Sequence, residues 1–249
     1  MSKSVLCKVL SGIGLSLTLL TSCVDDKNLD LPPVQDQSFV EEFDTLSSAL
    51  ARGWRISNVS VPKGPNIWQQ GGDIVPWFSP YSNNGSNAGF VGASYESTTL
   101  GVISNWLISP PVTMQNGDKI IFYTRSLESP ASATPGDSSD FGNRLQVRLN
   151  TLNEGLSVGS AVSTGDFNSL ILDINPTYVY SNSLIPDPTA YPTRWTRFEA
   201  TVFGLNKPTR GRFAFRYFVE YGGIDLTGAT AADGNGVGID YVTYKSVGR

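Results

Sequence analysis

The chain has 249 residues, 40% of them hydrophobic and 16% charged, with a formal charge of −4, 25 Gly, 15 Pro, two Cys and no His. The length is ample for a core, while the missing histidine excludes Ser-His-Asp and Cys-His nucleophiles, His-ligated zinc or haem, and imidazole acid–base chemistry. The acidic balance argues against a nucleic-acid partner, and low charge with many small polar residues and 11% aromatics fits an exported all-β domain.

The N-terminus reads as a targeting segment. Lys3 and Lys8 flank and precede an apolar stretch, Val9 to Leu20, of signal-peptide length and too short for a spanning helix. It ends Leu19-Leu20-Thr21-Ser22-Cys23, which resembles the bacterial lipobox. Residues 1–22 are therefore expected to be a lipoprotein signal, with Cys23 as the lipidated residue; the alternative is an ordinary signal peptide. Cys7 leaves with the signal, so no intramolecular disulfide is possible. Loss of Lys3 and Lys8 with no acid moves the formal charge from −4 to −6. Residues 23–38, with Pro32 and Pro33, read as a tether. Asp25-Asp26 just after the cysteine resembles the surface-export signal of lipoproteins in the Bacteroides group. The expected location is the outer membrane, held by lipid and facing outward, with a periplasm-facing lipoprotein as the alternative.

From Phe39 onward no amphipathic helix stands out. Short β-branched and aromatic runs alternate with Gly/Pro/Asn/Asp clusters, the pattern of a sandwich or barrel. The clearest expected strands are 119–125, 144–150, 169–174, 195–203, 212–221 and 237–244; weaker ones cover 39–43, 54–59, 90–93 and 106–108. Leu145, Val147 and Leu149 alternate with Arg144, Gln146 and Arg148, and Phe213, Phe215, Tyr217 and Val219 with Arg212, Arg216 and Glu220. One continuous pattern over 39–249 predicts a single all-β domain, a jelly-roll-like two-sheet β-sandwich. Residues 129–140 and 175–193 are its long loops.

Several motifs in order resemble choice-of-anchor J domains, relatives of the cleaved-adhesin domains of gingipains. They are Ser38-Phe39-Val40-Glu41-Glu42-Phe43-Asp44 followed by Gly53-Trp54, Asn105-Trp106-Leu107-Ile108-Ser109-Pro110-Pro111, Gly211-Arg212-Phe213-Ala214-Phe215 and Gly238-Ile239-Asp240-Tyr241-Val242. The resemblance implies a jelly-roll sandwich attached to the cell and implies no reaction. Related adhesin domains carry an Asp-rich run after the Gly-Trp element; here that region, Asn58 to Gly64, has no carboxylate.

Four constellations invite chemistry. Glu41, Glu42 and Asp44 on the first strand and Asp240 on the last would converge if those strands lie side by side, an oxygen-rich set suited to one structural calcium ion, with Glu42, Asp44 and Asp240 as its expected ligands; pairing with arginines such as Arg212 or Arg216, or facing water, is the bland alternative. A weaker acidic set is Asp225, Asp233 and Asn235. Trp77, Phe78 and Tyr81 lie in a Gly/Pro/Asn-rich stretch and are the candidate ligand-binding platform, flat rings being suited to the apolar faces of sugars; Trp54, Trp106 and Trp195 read as core. Arg125, Arg144, Arg148, Arg212 and Arg216 form either a face for anionic sugars or a solvated face laced to acids such as Glu199 and Glu220, and the solvated face is the preferred reading. No motif selects a catalytic carboxylate pair. The sequence therefore points to a non-enzymatic envelope lipoprotein recognising carbohydrate, touching the membrane only through its lipid; the alternative is an adhesin or structural module for envelope or host proteins.

Overall fold

In the computed structural model, residues 35–71, 77–82, 89–130, 138–139, 141–181, 184–223 and 233–247 are described; the expected signal, Cys23 and most of the tether lie outside them, as does Asp225. The described residues belong to one compact unit, 34–249.

Two antiparallel sheets form a sandwich. The first runs β13 (Thr196–Thr201), β8 (Lys119–Ser126), β15 (Gly236–Lys245), β5 (Phe90–Ser94) and β4 (Gln69–Gly71), and β1 (Phe39–Glu41) also pairs with β15. The second runs β12 (Ser169–Ile174), β11 (Leu145–Asn150), β14 (Thr209–Gly223), β6 (Thr98–Ile108) and β2 (Arg55–Asn58), with β3 (Val61–Lys63) on β6 and β7 (Val112–Met114) on β14. A two-residue ladder joins β9 (Ser129–Pro130) to β10 (Ser138–Ser139). The expected terminal pairing is present: Phe39 lies opposite Tyr244 and Glu41 opposite Val242.

The two period-two stripes lie side by side on the inner face of the second sheet, Val147 opposite Phe215 and Leu149 opposite Phe213. Leu145, Val147, Leu149, Phe213, Phe215, Tyr217 and Val219 are all buried there, and β8 alternates strictly between half-buried and buried. An aromatic knot closes one end. Phe213 stacks on Tyr244 at 5.9 Å and Phe39 at 6.4 Å between ring centroids, with Trp54 edge-on at 5.8 Å.

One helix is present where none was expected, α1 (Leu46–Ala51). Six residues are too few to show a stripe in sequence, yet Leu46, Ala49 and Leu50 pack on the core at helical spacing. The three-residue strands β3, β4 and β7 also escape the pattern. β4 is Gln-Gln-Gly and is set by pairing with β5 rather than by propensity.

The outer face of the second sheet is not simply solvated. Residues 151–168 fold over it, and Val158 and Phe167 make a second apolar cluster with Trp106, Ile108 and Ala214. Trp106 is thus buried, but outside the main core. Arg216, expected on a solvated face, is only 1% exposed beneath this segment. Alternation gave its direction correctly; the covering segment changes its environment.

Candidate functional site: a tyrosine cluster beside a cleft on the first sheet

The site begins with a gap in a ladder. β5 pairs with β15 over Gly236–Ile239, and β1 pairs with the same side of β15 over Val242–Tyr244. Between them, Asp240 and Tyr241 have no strand partner on that side. Here the pairing of β15 with β8 shifts register, and Tyr241 takes φ +50°. Such a bulge breaks the two-residue alternation. Strict alternation would turn Asp240 away from Tyr241; here instead the Tyr241 ring lies on the strap side, 6.3 Å from Tyr123 and 6.1 Å from Tyr81.

A strap, residues 77–82, crosses this outer face. Asp240 Oδ2 accepts the backbone N–H groups of Tyr81 (2.9 Å) and Ser82 (3.0 Å), and Oδ1 accepts that of Tyr241 at 2.6 Å. Tyr81 then stacks on Tyr123 of β8, with centroids 3.6 Å apart and planes within 15°. Tyr81 remains 44% exposed. The first half of the strap rests on glycines: a side chain at Gly92 would meet Trp77 at 2.7 Å, and one at Gly238 would meet Phe78 at 2.8 Å. Only glycine lets rings approach the strands this closely.

The three aromatic residues expected as a platform therefore have different situations. Phe78 stacks on Phe90 at 4.7 Å, meets Trp195 edge-on at 5.3 Å and has the Arg125 guanidinium 4.2 Å from its centroid. Stacked ring and guanidinium cannot share one face, so both faces of Phe78 are engaged. Trp77 lies edge-on to Phe78 and is half-buried. Tyr81 carries the exposed ring. Trp195, read as core, packs on the outer side of the sheet instead, its Nε1–H donating to the Ser79 carbonyl at 2.8 Å.

Beside Tyr241 opens a cleft of about 670 Å³, lined by residues 40–45 with Ser48 and Arg52. The acids are not equivalent within it. Glu41 is buried and held by Arg52 through two bonds, 2.9 and 2.5 Å. Glu42 and Asp44 line the cleft where the chain leaves β1. The Asp240 carboxyl is pushed up to about 7, chiefly by burial and also by the charge of Asp44, while its three backbone donors pull the other way. Because both oxygens are committed to the backbone, Asp240 organises the site rather than offering a proton to a bound molecule.

As a calcium site the donor set is thin. Asp44 and Asp240 feel each other, but among the described residues no group of three or more acids is placed to hold a metal ion. A calcium ion there would need carbonyl oxygens and water to complete its six to eight ligands.

Of the second acidic set, Asn235 and Asp233 are described and each has partners of its own. Asn235 is buried, donating to the Leu127 carbonyl at 3.1 Å while Asn143 Nδ2 donates to its Oδ1 at 2.7 Å. Asp233 accepts the Tyr180 hydroxyl. Of the other arginines, Arg144 pairs with Asp173 at 2.7 Å, whereas Glu199 serves Lys119 and Arg197. Tyr123 was the residue the sequence reading missed. Its alternation within 119–125 marked it as outward-facing, but nothing local linked it to Tyr81.

No family model matches the chain, and no curated protein matches it. Solved structures similar to it include the K1 cleaved adhesin domain of Lys-gingipain from Porphyromonas gingivalis W83, at 17% identity and TM-score 0.49, covering 85% of this chain and 99% of that one. TmCBM61 in complex with β-1,4-galactotriose is similar at 9% identity and TM-score 0.38, over 83% of this chain and 97% of that one. A family 11 carbohydrate-binding module from Clostridium thermocellum has 9% identity and TM-score 0.33, over 86% and 91%.

The seating of the strap is testable. Gly238→Ala puts a methyl group against the rings of Phe78 and Phe90, and overpacking of this kind costs about 1–3 kcal/mol. Urea unfolding should show that loss, with a changed near-ultraviolet dichroism from the displaced rings. Unaltered stability and spectrum would mean that the strap is not seated as described.

Proposed function

We propose that this chain is a non-catalytic lipoprotein of the outer membrane, displayed outward on a lipidated Cys23, that recognises carbohydrate at the tyrosine cluster beside the cleft. The observation that carries the reading is the stack of Tyr81 on Tyr123, with Tyr241 at its edge and at the mouth of the cleft. Rings fixed on a sheet present flat apolar surface at little entropic cost, and phenolic hydroxyls with Glu42 and Asp44 supply partners for sugar hydroxyls. Trp77 and Phe78 seat the first half of the strap that carries Tyr81. The resemblance of the sequence motifs to choice-of-anchor J domains implies a sandwich attached to the cell, in keeping with the anchor part of this reading.

A second reading, a protein-binding adhesin, is favoured by one observation. Leu152, Leu156 and Val162 are exposed on the segment covering the second sheet, and exposed aliphatics of this kind mark interaction surfaces when they are contiguous.

Binding of the full chain to a panel of neutral polysaccharides, with calcium and with chelator, separates these readings. The carbohydrate reading predicts retention on at least one glycan and at least a tenfold loss in Tyr81→Ala. Dependence on calcium that disappears in Asp44→Asn would support an ion at the Asp44–Asp240 pair. Retention unchanged by Tyr81→Ala would refute the site, and no retention of folded protein would favour the adhesin. The anchor is tested separately: labelled palmitate should enter the wild-type chain in cells and not Cys23→Ala.

A further inference from the structure

The outer face of the second sheet holds more positive charge than its acids neutralise. Arg216, on β14, donates Nε to Ser104 Oγ (3.0 Å), Nη1 to Gln146 Oε1 (3.4 Å), and Nη2 to the carbonyls of Ala161 (2.6 Å) and Ser163 (3.3 Å). Its guanidinium lies 3.8 Å from the Phe218 ring centroid and 5.0 Å from that of Trp106. Every one of these partners is neutral. Arg148, on β11, donates Nε to the same Gln146 Oε1 at 2.8 Å and Nη1 to the Phe167 carbonyl at 3.4 Å, again neutral groups.

The acid nearest this pair is already occupied. Asp173 takes two bonds from Arg144, at 2.9 and 2.7 Å, and a third from Gln146 Nε2 at 3.0 Å. Gln146 therefore stands between the carboxylate and the two other cations, its amide nitrogen turned to the acid and its oxygen to the arginines. Glu220 reaches the group only through the Tyr178 hydroxyl, which also accepts from Arg144 Nη1. Among the described residues, neither Arg148 nor Arg216 has a carboxylate within ion-pair distance.

Burying a charge without a counter-charge is costly. The cost shows at Arg216, whose proton affinity is drawn down to about 9, first by burial and then by Arg148 and Arg144. Arg148 is lowered too, chiefly by burial. The two residues then diverge. Arg216 is enclosed by the 151–168 segment and its donors are used on that segment's carbonyls. Arg148 is half-buried at the segment's rim and uses only part of a fork that has five N–H donors. A planar guanidinium with open donors and further positive charge behind it is matched to a carboxylate or sulfate oxygen pair.

We propose that Arg148, backed by Arg216 and Arg144, is an oxyanion-binding site, taking a sulfate or carboxylate group carried on an acidic polysaccharide or the same group as a free ion. The polysaccharide form rests on the carbohydrate reading above; the oxyanion site itself does not. It lies on the sheet opposite to the tyrosine cluster and its cleft, so the two are separable by mutation.

The test uses the full chain with dextran sulfate, unmodified dextran, and sodium sulfate against sodium chloride at equal ionic strength. Sulfate should raise the melting temperature over chloride by more in the wild type than in Arg148→Gln, the general stabilisation by excluded sulfate being common to both, and dextran sulfate should bind while dextran does not bind at this site. Arg148→Gln should lose at least tenfold in affinity for dextran sulfate, and Arg148→Lys, which keeps the charge without the fork, should fall between. Arg194→Gln, an exposed arginine on the other sheet's side paired with Glu128, should bind as the wild type does. Dextran sulfate binding that Arg148→Gln weakens identifies a polysaccharide-borne group; sulfate stabilisation that Arg148→Gln diminishes, without dextran sulfate binding, identifies a free ion. Equal sulfate stabilisation of the wild type and Arg148→Gln together with no dextran sulfate binding overturns the site. So does Arg148→Gln binding like wild type, or Arg194→Gln losing as much as Arg148→Gln. Tyr81→Ala should leave dextran sulfate binding intact, so failure of the cleft and failure of this site read differently.

Discussion

The carboxylate of Asp240 is the constraint on which the cleft depends. It occupies the one stretch of β15 that has no strand on its β5/β1 side, and it gathers three backbone N–H groups there. Two belong to the strap, so the strap's height and direction are set by a side chain of the sheet beneath it. Tyr81 consequently lands on Tyr123, and Tyr241, turned outward by the bulge, closes the group. Burial makes the charge of Asp240 expensive, while the three donors favour it. Removing the carboxylate would leave three amides without their acceptor and the strap without its anchor.

The two outer faces of the sandwich are built alike with opposite charge. On the first, a strap is tied by an acid to backbone donors. On the second, residues 151–168 are tied by a cation to backbone acceptors, through Arg216 to the carbonyls of Ala161 and Ser163. Each tie holds aromatic or aliphatic packing outside the main core: Trp77, Phe78 and Trp195 on one side, Trp106, Val158 and Phe167 on the other. A third polar centre joins loops at one end. Asn143 Oδ1 accepts from Tyr217 at 2.9 Å and from the Gly236 amide at 3.0 Å, and its carbonyl accepts from Asn175 at 2.9 Å. Buried networks of this kind fix one arrangement because each member would be costly to leave unmade.

The strands were legible where period-two alternation ran for six residues or more. Residues 169–174 fall as expected, and 119–125 and 237–244 are each extended by one or two residues. Residues 98–105 were missed as part of β6 because Thr-Thr-Leu-Gly-Val-Ile-Ser-Asn mixes small and polar residues, and its regularity comes from the pairing with β14. The terminal strands do lie side by side, as expected, yet the division of labour among their acids was not readable. Glu41 belongs to Arg52 and Asp240 to the strap, facts of tertiary contact. Tyr123 and Tyr81 are adjacent only because Asp240 brings distant segments together. Arg216 shows the same limit: alternation gives the face of a side chain, and the segment that later covers that face decides whether it meets water.

Amide hydrogen exchange at Tyr81 and Ser82, in the wild type and in Asp240→Ala, tests the central claim most directly. Hydrogen-bonded amides held under a seated strap exchange slowly, and loss of their acceptor should release them while the core amides of Phe122 and Ile239 stay protected. Slow exchange at both positions that becomes fast in Asp240→Ala is the predicted result. Fast exchange already in the wild type, or protection that survives the substitution, would contradict the account.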